Sequence, residues 1–143
     1  MAIHTATATE VDVPTLYALL RLRVDVFVVE QASAYPELDG RDLEAGTLHC
    51  WVDEGAGPVA CLRILEKPVG QRISRVVTAP RARGRGLAGQ LLRYAIDRCG
   101  RPVSLSAQAH LAGWYEGFGF EVAGPGYDED GIPHLPMIIA GGP

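Results

Sequence analysis

The sequence predicts a mixed α/β sheet sandwich, and three observations point to it. Short strand-like runs recur at residues 49–53, 59–65 and 71–78, bounded by turn residues as sheet strands are. Two other segments carry apolar residues at helical spacing: Leu16, Leu19, Leu20, Val24 and Phe27 in the first, Leu87, Leu91, Leu92, Ala95 and Ile96 in the second. Strands and helices interleave along the chain, which calls for helices packed on a sheet.

Taken in order, the Thr- and Ala-rich residues 3–9 read as a first strand. A helix starts at Asp12 or at Val13-Pro14, because proline suits the first helical turn. It runs to about Val24, and the β-branched run Val26–Val29 weakens its continuation. Residues 31–46 are polar, with Tyr35-Pro36, Asp39-Gly40 and Glu44-Ala45-Gly46, and read as a loop or short helix. His49–Asp53 and Val59–Leu65 are strands joined by a hairpin turn over residues 54–58. In the strand Gln71–Thr78, Ile73, Arg75 and Val77 alternate against Ser74, Val76 and Thr78. Ala79-Pro80 ends it, and an Arg/Gly loop leads into a helix from about Arg85 to Arg98, stopped by Gly100. Val103–Ala109 is a short strand, His110–Gly117 a short helix, and residues 118–122 begin another strand. After a Gly/Pro/Asp loop, in which Asp128-Glu129-Asp130 reads as solvated, His134–Ile139 is the last.

The totals suit one domain over residues 1–143, long enough to bury a core without staples. Thirteen basic against seventeen acidic residues give a net charge of −4, which disfavours a nucleic-acid partner. Lys67 is the only lysine. Cys50, Cys61 and Cys99 form no CxxC pair and no zinc spacing; they read as small buried hydrophobes, and no metal is expected. The N-terminal residues lack the pattern of a secretory signal, and no apolar run approaches the roughly 20 residues that span a bilayer. The expectation is a soluble, cytoplasmic protein with no membrane partner.

The chemistry concentrates in Arg81-Ala82-Arg83-Gly84-Arg85-Gly86-Leu87-Ala88-Gly89-Gln90, between a strand and a helix. Glycines there let backbone amides approach a ligand closely, and the helix N-terminus adds free N–H groups and partial positive charge. The result is an anion cradle. A Walker A loop is excluded because Gly89 is followed by Gln90 rather than Lys-Ser/Thr. Gly84-Arg85-Gly86-Leu87-Ala88-Gly89 matches the dinucleotide string G-x-G-x-x-G, but it follows an apparent run of antiparallel strands past mid-chain.

Pro80-x-x-Arg83-Gly84-x-Gly86-x-Ala88 resembles motif A of the GNAT acetyltransferase superfamily, whose Q/R-x-x-G-x-G/A signature falls on Arg83, Gly86 and Ala88. Ala107-Gln108-Ala109-His110-Leu111 and Trp114-Tyr115-Glu116-Gly117-Phe118-Gly119-Phe120 resemble motif B. The run from Val26 to Gln31 and the run from Tyr127 to Met137 resemble the ElaA-like branch. That branch often has a cysteine where this chain has Ser33. The four blocks span nearly the whole chain, in order.

The resemblance implies the GNAT acyl-CoA N-acyltransferase fold, a central mixed, mostly antiparallel sheet flanked by helices. It also implies acetyl-CoA as cosubstrate, a small-molecule or peptide amine as acceptor, direct attack in a ternary complex, and a homodimer, although no self-complementary stripe shows. The pyrophosphate would lie on Arg83, Gly84, Arg85, Gly86, Leu87 and Ala88. The pantetheine arm would run along Val76, Val77 and Thr78, with Gln108 beside it and a backbone N–H near Val77 for the oxyanion. Tyr115 falls on the family's general acid. Glu30 and His110 head the candidate bases, with Glu116, Asp128, Glu129 and His134 beside them, and spacing singles out none. Glu30, Glu37 and the acids at 128–130 would attract a cationic acceptor.

Each residue keeps a plainer reading. Tyr115 could be a core aromatic and His110 a structural histidine. Arg81 and Arg85 could be solvated or paired on the surface, and Trp51 and Trp114 could be core or cleft-wall aromatics. The alternative for the chain is a non-catalytic acyl-CoA-binding or regulatory module on the same fold.

Overall fold

The computed structural model describes residues 2–141. The chain opens with strand β1 (Ile3–Ala6). β1 stops three residues short of the expected Thr9, because Glu10 folds back onto the Thr7 N–H at 2.9 Å and closes a turn. Helix α1 (Val13–Val24) is capped by Asp12, whose carboxylate accepts the Thr15 N–H at 2.8 Å, with Pro14 in the first turn. Its most buried stripe is Leu19, Leu22 and Arg23, with Leu16, Leu20 and Val24 at the margin. Over the β-branched run the helix widens into a π-helical segment, Asp25–Glu30, with i→i−5 bonds from Gln31 N–H to Val26 O and from Ser33 N–H to Val28 O.

A short 3₁₀ turn, Arg41–Leu43, precedes β2 (Leu48–Asp53), β3 (Pro58–Glu66) and β4 (Gln71–Thr78). Helix α2 (Leu87–Arg98) begins two residues later than expected, since Gly86, at φ +73°, is its N-cap. Then follow β5 (Val103–Gln108), the short helix α3 (Ala112–Glu116), β6 (Glu121–Val122), β7 (Tyr127–Glu129) and β8 (Ile132–Ile139). Residues 118–120 are a turn rather than strand, with Gly119 at φ +101°. The segment 127–129, expected as loop, is exposed and pairs as β7.

The eight strands of the described residues form one sheet in the order β1-β2-β3-β4-β5-β8-β6, with β7 on β8. Every pairing is antiparallel except β4 with β5. The α2 stripe foreseen from sequence, Leu87, Leu91, Leu92, Ala95 and Ile96, packs one face of the sheet on Cys50, Val52, Leu62, Ile64, Ile73 and Leu105. α1 packs the opposite face over β1 to β4, with Leu19, Leu22 and Val26 against Trp51, Cys61 and Val77. Cys50 and Cys61 lie in these cores, where burial pushes both thiols up to about 12. No helix among the described residues is long and apolar enough to cross a membrane.

Candidate functional site

The site begins with a defect in the sheet. β3 and β4 keep register at Cys61↔Val77 and at Arg63↔Ser74, so Leu62 faces two residues, Arg75 and Val76. This is a β-bulge. Arg75 sits at φ +58°, a left-handed conformation that costs a non-glycine residue about 1–3 kcal/mol. On its other side β4 pairs with β5 at only two positions, Gln71↔Val103 and Arg72↔Ser104. Beyond them the strands part around a cavity of about 610 Å³. Its walls include Val76, Val77 and Thr78 of β4 and Leu105, Ser106 and Gln108 of β5. Leu105 belongs to the face covered by α2, while Ser106, Gln108 and His134 lie on the other face, so the cavity passes through the sheet.

One mouth of the cavity meets the start of α2. Gly84 (φ +79°) and Gly86 (φ +73°) hold left-handed backbone that a side chain would strain, and a Cβ at either would meet open space. The first helical bond runs from Gln90 N–H to Gly86 O at 3.1 Å. The N–H groups of Leu87, Ala88 and Gly89 precede it, and no side chain caps them. A smaller cleft of about 230 Å³ lies over Thr78, Gly84, Gly86, Leu87, Ala88 and Trp114. Backbone alone therefore makes the cradle. Two of the guanidinium groups flanking it are taken: Arg83 binds Glu30 through two bonds, at 2.6 and 2.7 Å, and Thr78 O at 3.2 Å, and Arg85 binds Glu54 at 2.8 Å.

Tyr115 lines the cavity from α3 and is 7% exposed. Trp114 packs edge-on against its ring, with centroids 4.9 Å apart, and Phe120 does the same at 6.0 Å. Its hydroxyl makes no hydrogen bond among the described residues, and burial pushes its pKa up to about 12. Trp114 itself is 39% exposed and forms wall of both clefts; Trp51, by contrast, is buried and stacks on His4.

The candidate acids and bases separate sharply. Glu37 is not available to an acceptor, contrary to expectation: it is 2% exposed and bound by Arg23 Nε at 2.8 Å, with Arg75 Nε at 2.7 Å. Glu30 lines no part of the cavity; Arg83 holds it below the usual carboxylate range. His110 reaches the cavity but is exposed and makes no hydrogen bond among the described residues. Glu116 and Asp128 are exposed and outside the cavity wall. Glu129, Asp130 and His134 line it together from the β7–β8 hairpin. His134 Nδ1 lies 2.8 Å from Ile132 O, and Nε2 lies 3.4 Å from Glu129 Oε2. Gln108 donates to Gln31 across the cavity at 3.3 Å.

A buried ion network escaped the sequence reading altogether. Arg23 binds Glu37 and, through Nη1 at 2.5 Å, Asp42. Arg63 binds Asp39 at 2.7 Å, Asp42 at 3.0 Å and Ser74 Oγ at 2.9 Å. Arg75 Nη2 donates to Glu37 O at 3.1 Å and to Asp39 at 3.4 Å. Tyr35 donates its hydroxyl to Glu37 and lies under the Arg75 guanidinium. Burial pushes the Asp39 carboxyl up, but the Arg63 hydrogen bond, the Arg41 N–H and the charges of Arg63 and Arg75 outweigh it and hold it well below the usual range. The network ties residues 35–42 to α1, β3 and the bulge, and so builds the wall formed by Ser33, Tyr35 and Arg75.

The family model of the acetyltransferase (GNAT) domain matches residues 7–140, so the match takes in the bulged strand, its parallel neighbour and the glycine-lined helix start. The chain belongs to the GNAT acetyltransferase family. Within that family it is 45% identical to a UPF0039 protein of Mycobacterium tuberculosis, over 98% of this chain and 94% of the relative. It is 40% identical to Escherichia coli ElaA over 90% of each chain. The crystal structure of ElaA superposes with a TM-score of 0.90, covering 96% of this chain and 97% of that one. An acyl-CoA N-acyltransferase from Pseudomonas aeruginosa superposes at 0.92, with 38% identity, over 98% and 100%. The expected fold and the ElaA-like resemblance are thereby both established.

Proposed function

We propose that this GNAT protein transfers the acetyl group of acetyl-CoA to an amine in a ternary complex, with Tyr115 as general acid. One observation carries the reading: a single cavity crosses the sheet, with a free-amide cradle at one mouth, polar residues at the other and an unpartnered buried phenol in its wall. Acetyl-CoA, when bound, supplies an activated acyl carbonyl and a thiol leaving group.

The residues fit that cosubstrate. The amides of Leu87, Ala88 and Gly89 suit a pyrophosphate, with Gly84 and Gly86 leaving space for its approach. Val76, Val77 and Thr78 lie along one side of the notch and Gln108 on the other, as an extended arm requires. The bulge rotates the backbone after Arg75 and so re-aims the amides near Val77, which suits an oxyanion donor. Tyr115 keeps its proton at neutral pH and can hand it to the departing sulfur. The amine would enter from the opposite face, past Ser33, Tyr35, Ser106 and His134.

The test is thiol release from acetyl-CoA with a panel of amines. Tyr115→Phe should lower turnover by about 10²–10⁴-fold, the range for a lost acid catalyst, while acetyl-CoA binding by calorimetry stays within a few-fold. If the wild type binds acetyl-CoA but no amine is ever acetylated, the chain is a binding module instead.

A further inference from the structure

The β7–β8 hairpin holds the His134 imidazole against the cavity wall through contacts on both ring nitrogens and one ring face. Asp130 (φ +51°) and Gly131 (φ +83°) give both central residues of a two-residue turn positive φ, the pattern of a type I′ hairpin. That turn sets the register Glu129↔Ile132 and Tyr127↔His134. Tyr127, Glu129, Ile132 and His134 consequently share one face. The Tyr127 ring stacks on His134, centroids 6.0 Å apart and 22° from parallel, and its hydroxyl is tied to Ser106 on β5.

The contacts of the ring then assign its proton. Ile132 O can only accept, so the Nδ1 that lies 2.8 Å from it carries the hydrogen. In the neutral ring Nε2 keeps its lone pair. The nearest charged partner of Nε2 is Glu129 Oε2, at 3.4 Å, which also can only accept. It therefore offers nothing to the neutral ring and an ion pair to the protonated one. The His134 side chain is 11% exposed and lines the cavity. The other charged or titratable groups on that wall are Asp130, His110, Tyr35, Tyr115, Arg72, Arg75 and Arg83. Arg75 and Arg83 are already paired with carboxylates.

We propose that His134 is the general base, a residue that touches the acceptor, and that Glu129 is its positioning residue. This rests on the amine-acetyltransferase reading. Nε2 takes one proton from the acceptor's ammonium group. The N–H electron pair stays on nitrogen, which becomes the neutral nucleophile, and the imidazolium pairs with Glu129 until it returns the proton to water.

Two measurements test this. Long-range ¹H–¹⁵N correlation of the imidazoles, with His134 assigned by comparison with His134→Gln, should show its neutral ring as the Nδ1–H tautomer; an Nε2–H tautomer overturns the proposal. The second uses acetyl-CoA with ethylamine, almost wholly ammonium at neutral pH, and with 2,2,2-trifluoroethylamine, which is largely unprotonated because fluorine withdraws charge. His134→Gln should lose about 10²-fold or more with ethylamine, as for a missing base, but under about tenfold with the fluorinated amine. Glu129→Gln should show the same bias more weakly. Equal losses with both amines would make His134 structural and overturn its role alone. A wild type that acetylates neither these two nor any other amine of the panel overturns the acceptor reading and this assignment with it.

Discussion

At the residue scale, Arg23 shows what holds the molecule around the site. It is 2% exposed, and a guanidinium survives there because Glu37 and Asp42 meet it. Removing one member leaves buried charge without a partner, so Arg23→Ala should destabilise the fold by about 3–5 kcal/mol, measured by urea unfolding. Arg75, in the same network, holds a conformation that its own backbone disfavours. Its ion pairs with the Glu37 and Asp39 carboxylates, and the bond from its Nη2 to Glu37 O, offset that strain, so strand geometry at the bulge depends on residues far earlier in the chain. Tyr115 follows different physics: it has no ionic partner, a phenol is protonated at neutral pH in any case, and burial raises its pKa further, to about 12.

At the element scale, the notch is defined by where β4 and β5 still touch. Gly70 marks the closed end. It precedes Gln71, whose N–H donates to Pro102 O at 3.1 Å, and it sits at φ +73°. A Cβ there would lie 2.0 Å from Pro102 O, a backbone atom that cannot swing aside. Gly70→Ala should cost about 2–5 kcal/mol, adding left-handed strain to overpacking, and should weaken acetyl-CoA binding; thermal melts and calorimetry check the two effects separately. The α2 stripe was fully legible from its spacing. The β7–β8 hairpin was also signalled, by Asp130-Gly131 between strand-like residues. The acidic run at 128–130 reads as a solvated loop, and it is indeed exposed, but the first two of its residues pair with β8 as strand.

At the scale of the whole molecule, stability should fall on the acid side through the ion network. Asp39 and Asp42 both sit below their usual values: burial raises each, and the arginine contacts outweigh it. A group with a depressed folded value stabilises the fold above its unfolded value, about 3.9. It loses that contribution as pH falls through the folded one. Urea midpoints should therefore drop steeply below about pH 4, and Asp39→Asn should flatten that drop while lowering stability at neutral pH.

The sequence by itself determined the local parts: the alternation of strands and helices, the buried face of α2, the glycine-lined start of that helix, and Tyr115 beside Trp114. Those signals are short-ranged, since periodicity, positive-φ glycines and free amides belong to a few neighbouring residues. Only the tertiary structure decided how the parts meet. It opened a passage between β4 and β5, buried Glu37 with Arg23 and Arg75, and spent Glu30 on Arg83, 53 residues away. It also separated His134, whose ring is held in one orientation, from the exposed His110. Charge pairing and proton position depend on distance and burial between remote segments, and no spacing along a single chain encodes those directly.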